Sequence, residues 1–217
     1  FFKKKKCILY AAGVSNSNNR DLKLFDKDFL RLKKLLEKSK NFKIIYISSC
    51  SVIDSSRKNS IYLKKKLKNE RFIKVNFKNY LIIRLPEIIG KNKNKKTIVN
   101  FFYYKIINGK KFTLFKNAKR NFIDINDIVN ILTELIKTNV NKKTINIASN
   151  KMTNVNKIVK ILEKTFKKKA ITVIENKKFD NFKIDVRYIK KLNSFKKIKF
   201  NDNYLNKNIL KYKNGVI

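Results

Sequence analysis

The chain has no histidine at all. That excludes the Ser-His-Asp and Cys-His catalytic arrangements, and it leaves proton transfer to Tyr, Lys, Asp, Glu or Cys. There are only two cysteines, Cys7 and Cys50. Two cysteines without histidine neither close a zinc site nor build a disulfide framework. Both are expected to be reduced thiols of a cytoplasmic protein. Four glycines and one proline in 217 residues leave few turn residues. No apolar run is long enough to span a bilayer, so no membrane partner is expected. The apolar stretch from Cys7 to Val14 lacks the length and cleavage site of a signal peptide. The start at Phe1, rather than Met, reads as an interior segment that further residues precede in the full protein.

Acidic residues are also scarce: 15 against 55 basic ones, a net charge of +40. Such a charge suits phosphate neutralisation and raises the possibility of a nucleic-acid binder. Only seven of the basic residues are arginine, the side chain that reads base edges best. The lysines run from end to end without forming a basic tail or stripe. Lys, Asn and Ile are abundant together, as A/T-rich codons dictate. The charge is therefore read as composition bias. It implies weak polyanion attraction but no specific nucleic-acid partner.

The apolar fraction of 43% supports a sizeable core. Cys7 to Tyr10 reads as a buried strand ending in Ala11-Ala12-Gly13. Asp26 is expected to cap a helix over 27–38, with Phe29, Leu30, Leu32, Leu35 and Leu36 as its apolar stripe. Lys43 to Ile47 reads as a strand, and Ser60 caps a helix to about Phe72. Tyr80 to Leu85 is a strand ended by Pro86. Beyond Gly90 the pattern gives helices over 97–107, 127–137 (capped by Asn126) and 153–166 (capped by Thr153). It also gives strands over 112–115, 144–148 and 171–174, and a short helix over 186–192. This alternation predicts an α/β fold with a parallel sheet. The expected division is residues 1–90 as one part and 91–217 as a mixed remainder that adds late strands. Ligands bind at the carboxyl edge of such sheets.

Three features fall on that edge. Of nine tyrosines, Tyr62 alone has lysine four residues on, Lys66. On a helix this spacing puts both on one face, where an ammonium favours the phenolate and fits Tyr62 for proton exchange. Ser49 ends the KIIYI strand segment thirteen residues earlier. Its hydroxyl suits either the same reacting oxygen or a strand-end cap. Ala11, Ala12 and Gly13 are small enough for a ligand to approach the backbone.

In this order the segments ILYAAG (8–13), YISSCSV (46–52), Tyr62 with Lys66, and IIRLPEIIG (82–90) resemble the NAD-dependent epimerase/dehydratase group of the extended short-chain dehydrogenases/reductases. RNFIDINDIV (120–129) and TINIAS (144–149) share the likeness, which spans about residues 7 to 165. The resemblance implies a Rossmann-like sheet with a small C-terminal α/β substrate-binding portion. It implies NAD or NADP as cofactor, a nucleotide-sugar substrate, and a homodimer through the helices at about 27–38 and 60–72. Ser49 and Tyr62 would hold the reacting sugar hydroxyl or ketone. Lys66 would hold the nicotinamide ribose. Ala11, Ala12 and Gly13 would lie against the cofactor, and Pro86 and Ile88 would meet the nicotinamide. Ser51, Asn100 and Arg120 would contact substrate, Arg120 through its diphosphate. Asn100 equally suits an exposed helix face, and Asp124 and Asp127 suit a cap and brace for the following helix.

The sequence also departs from the group. No glycine precedes Gly13, so the G-x-x-G-x-x-G phosphate turn is not in these residues. Ile53 stands where many relatives have Tyr, and the interval from Ser49 to Tyr62 is short. The expected function is an epimerase, dehydratase or ketoreductase. No acidic pair follows Ser49, which tilts the reading away from a dehydratase. The alternatives are a relative that binds NAD(P) without turnover, and a basic nucleic-acid-binding protein.

Overall fold

The structure is a computed structural model that describes residues 7–39, 41–57, 59–177 and 183–213. In chain order the elements begin β1 (Cys7–Tyr10), α1 (Leu22–Glu37), β2 (Lys43–Ser49), α2 (Ile61–Asn76), β3 (Tyr80–Leu85), β4 (Glu87–Ile89), α3 (Ile98–Ile107) and β5 (Phe112–Phe115). They continue β6 (Lys119–Arg120), β7 (Phe122–Asp124), α4 (Ile125–Lys137), β8 (Lys143–Asn146), β9 (Thr153–Asn154), α5 (Val155–Phe166), β10 (Thr172–Glu175), α6 (Asn193–Lys196) and α7 (Tyr204–Tyr212). The fold is the expected α/β class, a parallel sheet flanked by helices. Among the described residues no helix is long and apolar enough to cross a membrane.

The chain divides into two compact units. The first holds residues up to Leu85 together with Glu134–Ile147; the second holds Pro86–Thr133 and Ala148 onwards. The chain passes into the second unit after Leu85. The late strand β8 returns to the first unit.

In the first unit four strands form a parallel sheet in the order β1-β2-β3-β8. A parallel sheet covered on both faces needs continuous apolar strands rather than alternating ones. β2 and β3 meet this need: Ile44, Ile45 and Tyr46, and Leu81, Ile82 and Ile83, are all fully buried. Leu32, Leu36, Ile73 and Phe77 join Ile44, Tyr46 and Ile82 in one core cluster.

Helix α1 departs from the sequence reading. It starts at Leu22, because the Asp21 carboxylate accepts the Leu24 amide at 3.2 Å and caps the first turn. Its buried residues are Phe25, Asp28, Leu32 and Leu36. Leu30 is 54% exposed and Leu35 lies on the outer side too, so the inner stripe is narrower than expected and contains an acid. Ser60 takes the N-cap position of α2 as expected but makes no side-chain cap hydrogen bond.

The second unit holds three two-stranded pairs: β4 with β7, β5 with β10, and the antiparallel β6 with β9. Phe102, Phe112, Val155, Ile158, Leu162, Leu205 and Ile209 share its core. Gly109 ends α3 with φ 59°, a conformation that glycine adopts without strain. Asn154, not Thr153, caps α5 through its side chain. The expected helix over 186–192 shrinks to a single turn at Ile189–Lys191, and α6 and α7 follow it. Asp124 accepts the Asn126 amide at 2.9 Å and so caps α4. Tyr204 Oη donates to the Asp127 carboxylate and accepts the Asp124 amide, which ties α7 to the start of α4.

Candidate active site

Tyr62 lies in the first turn of α2, and Lys66 lies one turn later on the same face. Each is only 7% exposed. Tyr62 packs with Phe25 and Leu63, and its ring centroid is 6.5 Å from that of Phe25. Lys66 reaches from α2 towards β2. Its Nζ donates to the Ile47 carbonyl at 3.5 Å, and lies 5.4 Å from the Tyr46 ring centroid and 5.7 Å from that of Tyr62. The spacing in the sequence thus becomes a buried phenol and a buried amine on one helix face. Burial pushes the Lys66 amine below its ordinary pKa; the carboxylates of Asp28 and Glu70 oppose that shift.

Ser49 ends β2, and its Oγ accepts the Ser51 amide at 3.2 Å, capping a short turn over Cys50–Ile53. The cap uses Ser49 as an acceptor, so its O–H hydrogen remains a donor. Ser51 is half-buried in the same turn. Cys50, between the two serines, is buried, and its Sγ donates to the Arg84 carbonyl at 3.3 Å. Burial pushes its thiol up to about 12, so it stays protonated and is no nucleophile near neutral pH.

Ala11 and Ala12 are exposed just beyond the carboxyl end of β1. Gly13 follows, and its missing side chain has a structural reason. A methyl group there would lie 3.0 Å from Lys66 Nζ and 3.3 Å from Asp28 Oδ2. Small residues at this edge leave the backbone open to close approach by a ligand.

Several residues of this site were not foreseen. Tyr10 and Tyr46 are register partners on β1 and β2, with ring centroids 6.1 Å apart. Tyr10 Oη donates to Asp28 Oδ1 at 2.7 Å, and Asn69 donates to Tyr46 Oη at 3.1 Å. Burial, before any other cause, raises both phenols, so neither serves as a base near neutral pH. Glu70, one turn after Lys66, accepts Ser48 Oγ at 2.6 Å and both arms of Arg84 at 2.9 and 2.6 Å. One signal existed for Asp28: it keeps helical spacing with Phe25, Leu32 and Leu36, an acid in an apolar stripe.

The remaining expected residues belong to the second unit. Pro86 opens it, and Ile88, on β4, is partly exposed. Asn100 corrects the expectation of an exposed helix asparagine. It is fully buried, and its amide nitrogen donates to Asn92 O, Asn92 Oδ1 and Asn94 O at 3.0–3.1 Å. It therefore fixes the loop before α3, and its Oδ1 has no hydrogen-bond partner among the described residues. Arg120 is half-buried on β6 and donates to its neighbour's carbonyl, Lys119 O, at 2.8 Å.

Comparison with known proteins adds the family. Among solved structures, UDP-glucuronic acid 4-epimerase from Bacillus cereus, crystallised with NAD, is similar at 18% identity and a TM-score of 0.78. That match covers 97% of this chain and 75% of the epimerase. dTDP-glucose 4,6-dehydratase from Bacillus anthracis, also with NAD, matches at 15% identity and a TM-score of 0.75, covering 96% and 73%. The Pseudomonas aeruginosa protein RMD, complexed with NADPH, matches at 14% and 0.75, covering 97% and 82%. At these identities the likeness speaks for the fold alone. A search of curated proteins finds no match. The model of the NAD dependent epimerase/dehydratase family matches residues 6–148, about two thirds of the sequence, and the chain belongs to that family.

Proposed function

We propose that this protein is an NAD(P)-dependent epimerase, dehydratase or ketoreductase acting on a nucleotide-linked sugar, with Tyr62 as its proton acid and base. The observation that carries the reading is the co-burial of Tyr62 and Lys66 on one face of α2. Burying a lysine costs several kcal/mol unless it is paired. A lysine with a purely structural task has no need of that position, whereas a lysine serving a phenol does. The family and the fold of the solved neighbours support the same kind of chemistry.

When bound, NAD(P) supplies the hydride acceptor or donor. Tyr62 Oη takes the proton from the sugar hydroxyl whose carbon loses hydride, and returns it when the carbonyl is reduced. The Lys66 ammonium stabilises negative charge on that oxygen. Ser49 donates its free O–H hydrogen to the same sugar oxygen and holds it for attack. Ala11, Ala12 and Gly13 give the cofactor a flat backbone edge, and Lys66 is its ribose contact. In the second unit, Arg120 is our proposed diphosphate contact, because a guanidinium binds phosphate oxygens in pairs.

The test is turnover of Tyr62→Phe on a panel of UDP- and dTDP-linked sugars with NAD and NADP. A loss of about 10²–10⁴-fold in kcat, with dinucleotide binding kept, is expected for a missing acid-base group. Unchanged turnover in Tyr62→Phe would remove Tyr62 from the mechanism.

A further inference from the structure

A lysine amine that is almost dry loses its charge unless an acid faces it. Phenols and acids surround Lys66. The rings of Tyr46 (β2) and Tyr62 (α2) lie 5.4 and 5.7 Å from its Nζ. Glu70, on its own helix, is already engaged by Arg84 and Ser48. Asp28, from α1, is the remaining acid. It is 7% exposed and is held by Tyr10 Oη at 2.7 Å and by the Val14 amide at 3.4 Å. Arg31, one turn further along α1, is exposed.

The positions of the two charges meet at Gly13. The same methyl-sized volume above its α-carbon is bordered by Lys66 Nζ at 3.0 Å and by Asp28 Oδ2 at 3.3 Å. The carboxylate and the ammonium therefore border the same space over Gly13 without a direct ion pair, and glycine leaves that space open between them. A hydrogen-bonding role alone would suit a neutral amide at position 28 equally well. An acid in the apolar stripe of α1 is expensive unless its charge is used.

We propose that the Asp28 carboxylate, clamped by Tyr10 and the Val14 amide, is a positioning residue: it is the counter-charge that keeps Lys66 an ammonium beside Tyr62. Its functional meaning rests on the reading of Tyr62 and Lys66 given above. The charge pairing itself is open to a test that needs neither cofactor nor substrate.

The test is a double-mutant cycle on the full chain without ligand, read by thermal unfolding near neutral pH. The variants are Asp28→Asn, Lys66→Met and the two combined. With Lys66 present, Asp28→Asn keeps the shape but removes the charge, and a drop in Tm of roughly 5 °C or more is expected. With Met at position 66 the same change should leave Tm level or raise it, because it then relieves an unpaired carboxylate. Equal drops in both backgrounds would overturn the proposal and leave Asp28 as a hydrogen-bond acceptor only. If either single variant fails to fold, recovery of folding in the double variant supports the pairing, and failure of the double variant as well overturns it. Loss of Tyr62→Phe's expected effect on turnover would leave this result standing, so the two readings fail separately.

Discussion

Lys66 Nζ lies 5.7 Å from the centroid of the Tyr62 ring, one helical turn along the same buried face of α2. The ammonium is close enough to act on the phenol through a dry medium, and near enough to the end of β2 to be anchored by the Ile47 carbonyl. Charge at this point is costly, and the cost can be measured.

Replacing Lys66 with Met should change how stability depends on pH. Burial holds the folded-state pKa of Lys66 below its ordinary 10.5. Between those two values the unfolded chain binds more protons than the folded one, so this residue makes stability rise with pH across that window. Lys66→Met should lose that increment relative to wild type. Denaturant unfolding of both proteins between pH 7 and pH 10.5 checks it; parallel curves would contradict the burial of a charged amine.

A dinucleotide that binds only the folded protein should protect it. At 100 times its dissociation constant the stabilisation is about 2.7 kcal/mol. Melting curves with NADH and with NADPH should therefore separate the two cofactors. Absence of any shift with either, at millimolar concentration, would count against the oxidoreductase reading.

Gly13→Ala tests the close approach at the edge of β1. The new methyl meets Lys66 Nζ at 3.0 Å, so the ammonium has to move. A destabilisation of about 1 kcal/mol is expected for such crowding. The loss of turnover should exceed what the stability change explains, since the displaced group is Lys66. Unfolding and kcat measured on the same preparation decide this.

Lys167 ends α5 in the left-handed conformation, with φ 53°. A side chain pays roughly 1 kcal/mol there, and glycine does not. Lys167→Gly should raise stability by somewhat less than that, since glycine also gains freedom in the unfolded chain. A lower denaturation midpoint would show that the lysine side chain contributes contacts of its own.

Tyr204→Phe removes the hydroxyl that serves both Asp127 and the Asp124 amide. A cost of about 1–3 kcal/mol is expected from the partners left unsatisfied. Burial raises the Asp127 carboxyl above its ordinary 3.8. Here the sign is opposite to that of a paired surface acid: below 3.8 the contribution is full, and it declines as pH rises through the raised value. Asp127→Asn should flatten that decline in an acid titration of stability.

Local signals made much of the first unit legible. β2 and β3 had to be strands, because only a covered parallel sheet needs runs as apolar as KIIYI and YLIIRL. Tyr62 and Lys66 had to share a face, because helical spacing puts them there. Ser49 had to sit at a strand end, because polar residues follow the apolar run. α1 was misplaced because Asp21 and Asp26 are both good caps and local pattern does not choose between them; the longer helix also brings Phe25 against Tyr62 and Leu63, a tertiary contact.

The sequence by itself determined the family and the main alternation of strands and helices, and it put Tyr62 and Lys66 on one helix face with Ser49 at a strand end. Each depends on residues near one another in the chain or on a fixed succession of motifs. Only the tertiary structure decided that Asp28 faces Lys66, that Tyr10 holds Asp28, that Glu70 is engaged by Arg84, and that Asn100 is buried. Those relations join elements many residues apart, and the register of β1 on β2 and the packing of α1 and α2 set them. A charge's partner is chosen by distance in space, and no local pattern of residue types carries that distance.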